Sequence, residues 1–385
     1  MSFKNILLLA QDGEDFYKSR MPFARHLMRH GFSVFVLIPK DKFSELITAE
    51  GLIVKHSRIE RDGMGPLKLI RTVLEVRNYI KANNIGLSHS FKFMPNLINV
   101  CSNILTGAKV VLHITGLGIA FANESAKYRL LKTILRILLF VKFLRANLII
   151  IQNPDDFEDF LFKEQFRKKI RVVKGSGVDV DEFQPSRKEE NIGRKSVFLC
   201  TTRLIWEKGI AELAEAFDSL PEHIRKNVEL RIIGAPDTKN PRAVSQEFID
   251  RYKENQVVRF LGQKENIRAY LNTADVFILP SYYREGIPRS ILEALACGLP
   301  VVTTNVPGCN LTVKTGQNGL LIEPRSVQTI RSAVEELYAH KSCWKLMGDF
   351  SRSLAVEEFS EEVVFNQIVK LYDLLDEAAV DSYTH

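Results

Sequence analysis

The chain alternates short apolar runs with polar loops and amphipathic stretches, and the same order occurs twice. In the first half, an apolar run at 5–10 precedes a polar loop, a helical pattern near 20–30 and a second apolar run at 33–39. In the second half, the runs at 196–202 and 228–234 flank a loop and another helical pattern. Short β-rich runs that alternate with helical stretches are typical of parallel sheets covered by helices. Each half is therefore predicted to be a doubly wound α/β domain.

Further apolar runs continue the alternation in both halves: "GLSHS", "AKVVLHI", "NLIIIQ" and "IRVVKG", then "VVRFLG", "ADVFILP" and "LPVVTT". Residues 181–196 are polar and charged, which is linker composition. The prediction is a first domain at 1–180 and a second at 197–360. Residues 361–385 carry an apolar helical face that needs a partner, and we expect this C-terminal helix to pack back on the first domain.

Composition narrows the class of protein. Of 385 residues, 45% are hydrophobic and 26% charged, as in globular proteins. The five cysteines are scattered and lack the spacing of a disulfide framework or a zinc site, which favours a reducing cytoplasm. No apolar run approaches the roughly 18 residues that span a bilayer, so we expect a soluble or peripheral protein.

The net charge of +7 favours anionic partners. These could be nucleic acid, phosphorylated small molecules or an anionic membrane surface, and charge alone does not choose among them. Beyond its general basic charge the sequence has no aromatic motif that supports nucleic-acid binding.

In doubly wound sheets, ligands bind outside the carboxyl ends of the strands. After the strand at 274–281, "EGIPRSILE" carries Glu285 on a loop and Glu293 more than one turn inside a helix, on the side shared with Arg289. Pro288 suits the first turn of that helix. On the pattern alone, a glutamate such as Glu293 on a polar helix face is more often a solvated residue than a ligand.

A second loop, "TRLIWEKG", follows the first strand of the same half and carries Arg203 and Lys208. An arginine fork, a lysine ammonium and backbone N–H groups at a helix start all favour clustered anionic oxygens. Together the two loops predict phosphate at one end of a site and sugar hydroxyls, bound by carboxylates, at the other.

The combination of "TRLIWEKG", "FILPSYYREGIPRSILEALACGLPVVTTNVPG" and "KGSGVDVDEFQP" resembles the retaining glycosyltransferases of family 4. The resemblance covers nearly the whole chain and implies the GT-B fold, in which two Rossmann-like domains face each other across a cleft. It implies that Glu285 contacts the donor sugar, that Glu293 holds the ribose hydroxyls, and that Arg203 and Lys208 bind the diphosphate. The catalytic candidates on these two loops are Glu285, Arg203 and Lys208.

The same resemblance completes the donor site. It implies that the loop around Gly13 closes over the diphosphate and that "RFLG", ending at Gly262, reads the base through its backbone. Gly286, Ile287 and Pro288 complete the donor loop. No metal or other cofactor is expected, because the cations replace it.

The implied reaction moves a hexose or N-acetylhexosamine from a nucleotide-diphosphate sugar to a saccharide acceptor, with retention of anomeric configuration. Resemblance to bacterial surface-polysaccharide enzymes implies uridine as the base and a polyprenyl-diphosphate-linked acceptor. The alternatives are a GT-B nucleotide-sugar epimerase or phosphorylase, and a non-catalytic nucleotide-sugar-binding protein.

Acceptor residues are sought in the first half. Many members of the family carry a catalytic histidine there, and His113 in "LHITGLGIAF" is the candidate, although it lies in a strand-like run and could equally be a core histidine. His89 and Lys92 in "SHSFKFMPN" are predicted to end a strand and to hold an acceptor phosphate.

The segment 127–145 contains six lysines or arginines and no acid. On a helical wheel, Arg129, Lys132 and Arg136 lie opposite an apolar stripe, with the amphipathic part ending near 140. The segment could be a core-packing helix with basic flanks. Because the basic residues recur without a counter-charge, we expect it to bind an anionic membrane surface, at the inner face of the cytoplasmic membrane.

Overall fold

The computed structural model describes residues 3–59, 64–117, 126–186, 193–237 and 240–380. The chain divides into two compact units. Unit 1 comprises Met1–Ser176 and Glu361–His385, and unit 2 comprises Gly177–Ser360.

Unit 1 contains a seven-stranded, fully parallel sheet in the order β3-β2-β1-β4-β5-β6-β7. Its central strands are buried on both faces, which explains why they are nearly continuous apolar runs. The strands are β1 Asn5–Leu9, β2 Ser33–Pro39, β3 Ile53–Ser57, β4 Leu87–Phe91, β5 Lys109–Ile114, β6 Leu148–Ile151 and β7 Ile170–Val172.

Helices cover both faces of this sheet. They are α1 Gly13–Ser19, α2 Met21–Arg29, α3 Ser44–Ala49, α4 Pro66–Ala82, α5 Phe93–Ser102, α6 Ala126–Arg145 and α7 Lys163–Phe166, with a 3₁₀ turn at Pro154–Asp159.

Unit 2 contains a six-stranded parallel sheet in the order β10-β9-β8-β11-β12-β13. Its strands are β8 Ser196–Thr201, β9 Val228–Ile233, β10 Val258–Phe260, β11 Val276–Leu279, β12 Val301–Thr304 and β13 Gly319–Ile322. Its helices are α8 Ile210–Asp218, α9 Glu222–Arg225, α10 Gln246–Asp250, α11 Ile267–Thr273, α12 Arg289–Ala296, α13 Val327–Ala339 and α14 Trp344–Glu358, with 3₁₀ turns at Trp206–Lys208, Asn310–Thr312 and Lys341–Cys343.

Local sequence signals set several helix ends in unit 2. The side chains of Asn266 and Ser326 accept hydrogen bonds from backbone N–H groups three residues ahead and so begin α11 and α13. Pro288 precedes α12, and Gly298, with φ of +69°, follows its end. In both units the order of strand, loop and helix is that of a doubly wound sheet, so the predicted fold class is confirmed.

The last helix, α15 Glu361–Val380, belongs to unit 1. Its apolar face is buried in the core of that unit through Val364, Phe365, Ile368, Val369 and Tyr372. The two preceding helices, α13 and α14, pack within unit 2. Residues 381–385 of the expected C-terminal segment lie outside the described residues.

The expected linker at 181–196 falls within unit 2, which begins at Gly177. Phe183 is buried in the core of that unit, and Ser196 is the first residue of β8. Residues 187–192 lie outside the described part of the chain. The division therefore precedes the polar segment, because Val178 already pairs with Ser360 as part of unit 2.

Candidate functional site

Two loops meet at the carboxyl ends of β8 and β11, which are neighbouring strands of the second sheet. The Lys208 ammonium forms an ion pair with the Glu285 carboxylate. The Lys208 side chain is only 5% exposed and that of Glu285 is 22% exposed. The structure thus brings together two of the predicted catalytic candidates, which are far apart in sequence.

The backbone around Lys208 is tightly fixed. Gly209 has φ of +72°, and a Cβ added there would lie 2.3 Å from the carbonyl oxygen of Pro280, so only glycine fits. Buried Glu207 accepts a 2.6 Å hydrogen bond from Arg242 Nε, and its carbonyl accepts from the N–H of Tyr282. These contacts join the basic loop to the segment that leads to Glu285.

A third segment, after β12, lies against the loop that carries Glu285. Its residues "NVPG" end the longest stretch of the resemblance, but the sequence assigned them no role. Gly308 has φ of +91°, and a Cβ added there would lie 1.7 Å from the carbonyl oxygen of Gly286. Next to it, burial and the Glu285 carboxylate raise the pKa of the Cys309 thiol to about 12. Cys309 is therefore a neutral residue in the core of unit 2. The signal was present in "NVPGCN", which follows a predicted strand of the same sheet.

Arg203 lies on the same loop as Lys208 but has another partner. Its Nη1 donates a 3.1 Å hydrogen bond to Oδ2 of Asp237, on the loop after β9. The side chain of Arg203 is 52% exposed, whereas that of Asp237 is 13% exposed. This contact uses one of the five guanidinium N–H donors. Asp237 was also missed, because no sequence pattern connects the loop after β9 with Arg203.

Glu293 lies on α12, where it accepts a 3.1 Å hydrogen bond from Arg289 Nε one turn earlier. Burial raises the pKa of the Glu293 carboxyl, the nearby Glu182 carboxylate adds to the rise, and the charge and hydrogen bond of Arg289 oppose it. The side chain is 15% exposed, so it is not the solvated surface residue that the pattern left open.

The other predicted donor residues of unit 2 lie at strand or helix ends. Gly262 follows β10 with φ of +69°, and its carbonyl accepts from the N–H of Gly234. Gly286 and Ile287 are buried, and Pro288 lies directly before α12. No hydrogen bond or ion pair of the described residues joins Glu293, Gly262 or Arg203 to the Lys208–Glu285 pair.

In unit 1, Gly13 begins α1, and its N–H donates a 2.7 Å hydrogen bond to the Asp41 carboxylate. The same carboxylate would lie 2.3 Å from a Cβ added at Gly13. The Gly13 N–H therefore already has an acidic partner within unit 1. The role of Gly13 at the diphosphate stays a prediction.

His113 and His89 lie inside the first sheet. His89 is in the middle of β4 and fully buried, and it does not end the strand as expected. His113, on β5, is 1% exposed, with Nδ1 3.3 Å from His89 Nε2 and Nε2 3.3 Å from Gln152 Nε2. Both ring nitrogens of His113 have internal partners, which favours the core-histidine interpretation that the sequence left open. The burial of His89 argues against direct contact with an acceptor.

Lys92 follows β4 and is accessible. Its backbone has φ of +71° and ψ of 178°, a conformation that is strained for a residue other than glycine. Its N–H donates to the carbonyl of His113, and its ammonium lies 2.9 Å from the Asp15 carboxylate. Of the three acceptor-side candidates, Lys92 is the one whose charged group lies near the surface.

The basic segment 127–145 forms α6, with a different charge distribution from that expected. Lys132 and Arg136 both pair with Asp159, at 3.0 and 2.6 Å, so the expected absence of a counter-charge is corrected. Lys142 is buried, and its ammonium donates to the carbonyl of Phe93. Burial lowers the pKa of Lys142 to about 7. The side chains of residues 126–128 and 130 lie outside the described part.

The outer face of α6 is apolar. Five exposed apolar side chains recur at helical spacing between 131 and 144, beyond the expected end near 140: Leu131, Ile134, Ile137, Val141 and Leu144. Among the described residues, no group of three or more histidines, cysteines or acids is arranged to hold a metal ion.

Comparison with known proteins finds a family match in unit 2. Residues 182–352 match the family "Glycosyl transferases group 1". The match includes the loops that carry Arg203, Lys208 and Glu285, and helix α12 with Glu293.

Curated relatives match nearly the whole length of the chain. It is 26% identical over 380 residues, covering 95% of the chain and 97% of the relative, to N,N'-diacetylbacillosaminyl-diphospho-undecaprenol alpha-1,3-N-acetylgalactosaminyltransferase of Campylobacter jejuni. It is also 26% identical over 388 residues, covering 94% of the chain and 96% of the relative, to UDP-Gal:alpha-D-GlcNAc-diphosphoundecaprenol alpha-1,3-galactosyltransferase of Escherichia coli.

The solved structure of Anabaena HepE in complex with UDP matches the glycosyltransferase with a TM-score of 0.79 at 19% identity, covering 96% of this chain and 99% of that one. At this identity the match supports the fold alone. With the family match and the two relatives, it confirms the resemblance to bacterial polysaccharide glycosyltransferases of the GT-B fold that the sequence predicted.

Proposed function

We propose that this glycosyltransferase moves a hexose or N-acetylhexosamine from a UDP-sugar to a saccharide carried on polyprenyl diphosphate, with retention of anomeric configuration and without a metal ion. The proposed pathway class is the synthesis of bacterial surface polysaccharide, such as lipopolysaccharide, O-antigen or capsule.

The buried ion pair of Lys208 and Glu285 carries this proposal. The two opposite charges lie at the carboxyl ends of adjacent strands, in a site where water is largely excluded. A ligand group that takes the place of either partner would therefore interact strongly with the remaining charge. In the proposed reaction the Lys208 ammonium stabilises the charge that develops on the leaving diphosphate, and the freed Glu285 carboxylate accepts from hydroxyls of the donor sugar.

Arg203 and Glu293 are the further side chains of the proposed donor site. The exposed guanidinium of Arg203 retains donors for a phosphate oxygen. Glu293, which Arg289 holds in place, is proposed to accept hydrogen bonds from the ribose hydroxyls. Cationic side chains in place of a metal ion make the transfer independent of divalent cations.

The names of the relatives support the donor and acceptor classes. The relatives from Campylobacter jejuni and Escherichia coli are named for diphosphoundecaprenol-linked acceptors, and the latter for UDP-galactose. A UDP complex is known for the matching Anabaena structure. We propose that Lys92, which is partly exposed and pairs with Asp15, contacts a phosphate of the acceptor.

A lipid-linked acceptor requires access to a membrane. Among the described helices, none has the length and apolar content needed to span a bilayer. We propose that the apolar outer face of α6 inserts into the membrane–water interface on the inner side of the cytoplasmic membrane. Helix α4 adds the exposed Leu67, Ile70 and Leu74 to the same layer, because α4 packs on α5 and α5 on α6.

The decisive experiment measures release of nucleotide from a panel of UDP-sugars and GDP-sugars, with and without a polyprenyl-diphosphate-linked saccharide. We expect release from one UDP-sugar that requires the acceptor and is unchanged by EDTA. The NMR coupling of the anomeric proton in the product reports retention or inversion. Acceptor-independent conversion of the donor would instead indicate an epimerase, and binding without turnover would indicate a non-catalytic protein.

A further inference from the structure

A line of buried polar side chains crosses the first sheet near the carboxyl ends of its strands. It runs from Gln152, directly after β6, through His113 on β5 and His89 on β4 to Tyr372 on α15. Each of the four is at most 3% exposed. The contacts are Gln152 Nε2 to His113 Nε2 at 3.3 Å, His113 Nδ1 to His89 Nε2 at 3.3 Å, and His89 Nδ1 to Tyr372 Oη.

The hydrogen bonds of this line have a single direction. Gln152 Nε2 also lies 3.1 Å from the carbonyl oxygen of Gly175, and a carbonyl only accepts, so this atom is the amide nitrogen and only donates. His113 Nε2 therefore accepts, and neutral His113 carries its proton on Nδ1. That proton is donated to His89 Nε2, which leaves the proton of His89 on Nδ1 to be donated to Tyr372 Oη.

One end of the line lies next to the division of the chain. Gly175 precedes the first residue of unit 2, Gly177, by two positions, and both glycines have positive φ, at +75° and +83°. The other end, Tyr372, lies in the middle of helix α15, which follows the last residue of unit 2 and belongs to unit 1. The line therefore connects the segment that leads out of unit 1 with the helix by which the chain returns to it.

We propose that Tyr372, His89, His113 and Gln152 act as one directional hydrogen-bond chain that fixes helix α15 and the segment at Gly175 to the first sheet. This inference goes beyond glycosyl transfer and does not depend on it. It gives a physical reason for the two buried histidines, since an apolar side chain at either position would interrupt the chain.

The chain requires neutral histidines. A protonated His113 would direct an N–H at the amide nitrogen of Gln152, and two donors cannot pair. Arg20, whose guanidinium lies 4.5 Å from the Phe91 ring beside His89, is the charged group near both rings. Burial and the positive charge of Arg20 lower the pKa of both histidines, and the neighbouring ring of His89 lowers that of His113 further.

The test is NMR of the full-length protein with ¹⁵N-labelled histidine at pH 7.5, with signals assigned through His89→Gln and His113→Gln. We expect both rings to be neutral and protonated on Nδ1. Protonation of either ring on Nε2, or titration of either ring near the ordinary histidine pKa, would overturn the assignment. The readout needs no substrate, so it is independent of whether the protein transfers sugar.

A second test uses hydrogen exchange. Tyr372→Phe removes the acceptor of the His89 proton and Gln152→Met removes the donor to Gly175. Each variant should exchange about tenfold faster at both ends, in α15 and in the peptide that contains Gly175, the size expected when a buried hydrogen bond is lost. Tyr79→Phe, a half-buried tyrosine of unit 1 outside the chain, should change neither. Effects confined to the mutated end would mean that the four residues do not act as one chain.

Discussion

At the scale of single residues, the site depends on which charges are already paired. Lys208 and Glu285 neutralise each other in a mostly buried position, whereas Arg203 keeps most of its donors accessible. A buried pair is costly to break by removing one partner, because the other charge remains without compensation. A ligand that replaces the interaction on both sides avoids that cost, and a sugar diphosphate has both a phosphate for the cation and hydroxyls for the acid.

Substitution of Arg203 and Lys208 tests the proposed donor site. Arg203→Ala and Lys208→Ala should each lower turnover by about a hundredfold or more, since each removes a group that stabilises charge on the leaving diphosphate. Circular dichroism should show the fold retained. Arg259→Ala is the matched control, because Arg259 is 60% exposed and pairs with Glu229 in the same unit. Unchanged turnover in both Arg203 and Lys208 variants would contradict the proposed donor site.

Asp237 is expected to position Arg203. Asp237→Asn removes the charge that orients the guanidinium and should lower turnover about tenfold, because small misplacement of a group that binds the transition state is costly. In an Arg203→Ala background the same change should have no further effect, as the two act through one contact.

Glu229→Gln provides the comparison for Asp237, since Glu229 is equally buried and also pairs with arginine. It should leave turnover unchanged in both backgrounds. An additive effect of Asp237→Asn on top of Arg203→Ala would show that Asp237 acts by another route.

At the scale of elements, α6 shows how a correct helix prediction can assign the wrong face to solvent. The sequence pattern predicted that its basic residues lie at the surface without a counter-charge. In the structure, Asp159, from the following segment, pairs with two of them. A salt bridge to a residue 23 positions away is invisible on a helical wheel. Leu139 and Phe143 are buried, but Leu131 and Ile134, which the wheel placed on the apolar stripe, are exposed.

Membrane binding should therefore depend on the apolar stripe of α6. The double variant Ile137→Gln with Val141→Gln should weaken binding to anionic vesicles about tenfold or more, because each side chain loses apolar contact with the interface. Co-sedimentation at low salt measures this. Leu346→Gln, at a 72% exposed position on α14 of unit 2, should bind as the unchanged protein does. Equal binding by the double variant would exclude α6 as the contact surface.

At the scale of the whole molecule, buried histidines make stability dependent on pH. Burial, together with nearby positive groups, lowers the pKa of His26 to about 4 and of His89 to about 3, and lowers that of His113 as well. The unfolded chain takes up these protons near pH 6.5 and the folded chain does not. The contribution of these histidines to the free energy of unfolding is thus fully present above about pH 6.5. It is lost as the pH drops toward the folded pKa values, by about 1.4 kcal/mol per pH unit for each histidine.

Urea unfolding at pH 7.5, 6 and 5 measures this dependence. His26→Gln should reduce the loss of unfolding free energy between pH 6 and 5, whereas His340→Gln, at an exposed position, should leave it unchanged. Identical slopes for the His26 variant and the unchanged protein would contradict the expected contribution.

The sequence predicted most of the strands but missed one edge strand of each sheet. β2 has the expected bounds, whereas β3 and β13 were not predicted. Both are edge strands, which pair on one side only and carry a weaker apolar signal: β3 contains Lys55 and His56, and β13 begins with Gly319.

The sequence alone determined the two parallel sheets, the helix at Glu293 and the residue types at the strand ends, because periodicity and turn residues are local properties of a chain. Only the tertiary structure decided which of those residues meet. Lys208 pairs with Glu285, which is 77 positions away in sequence, and Tyr372 contacts His89, which is 283 positions away. Asp41 accepts a hydrogen bond from the N–H of Gly13. Such partners follow from strand order and packing, which bring distant segments together and which no local pattern encodes.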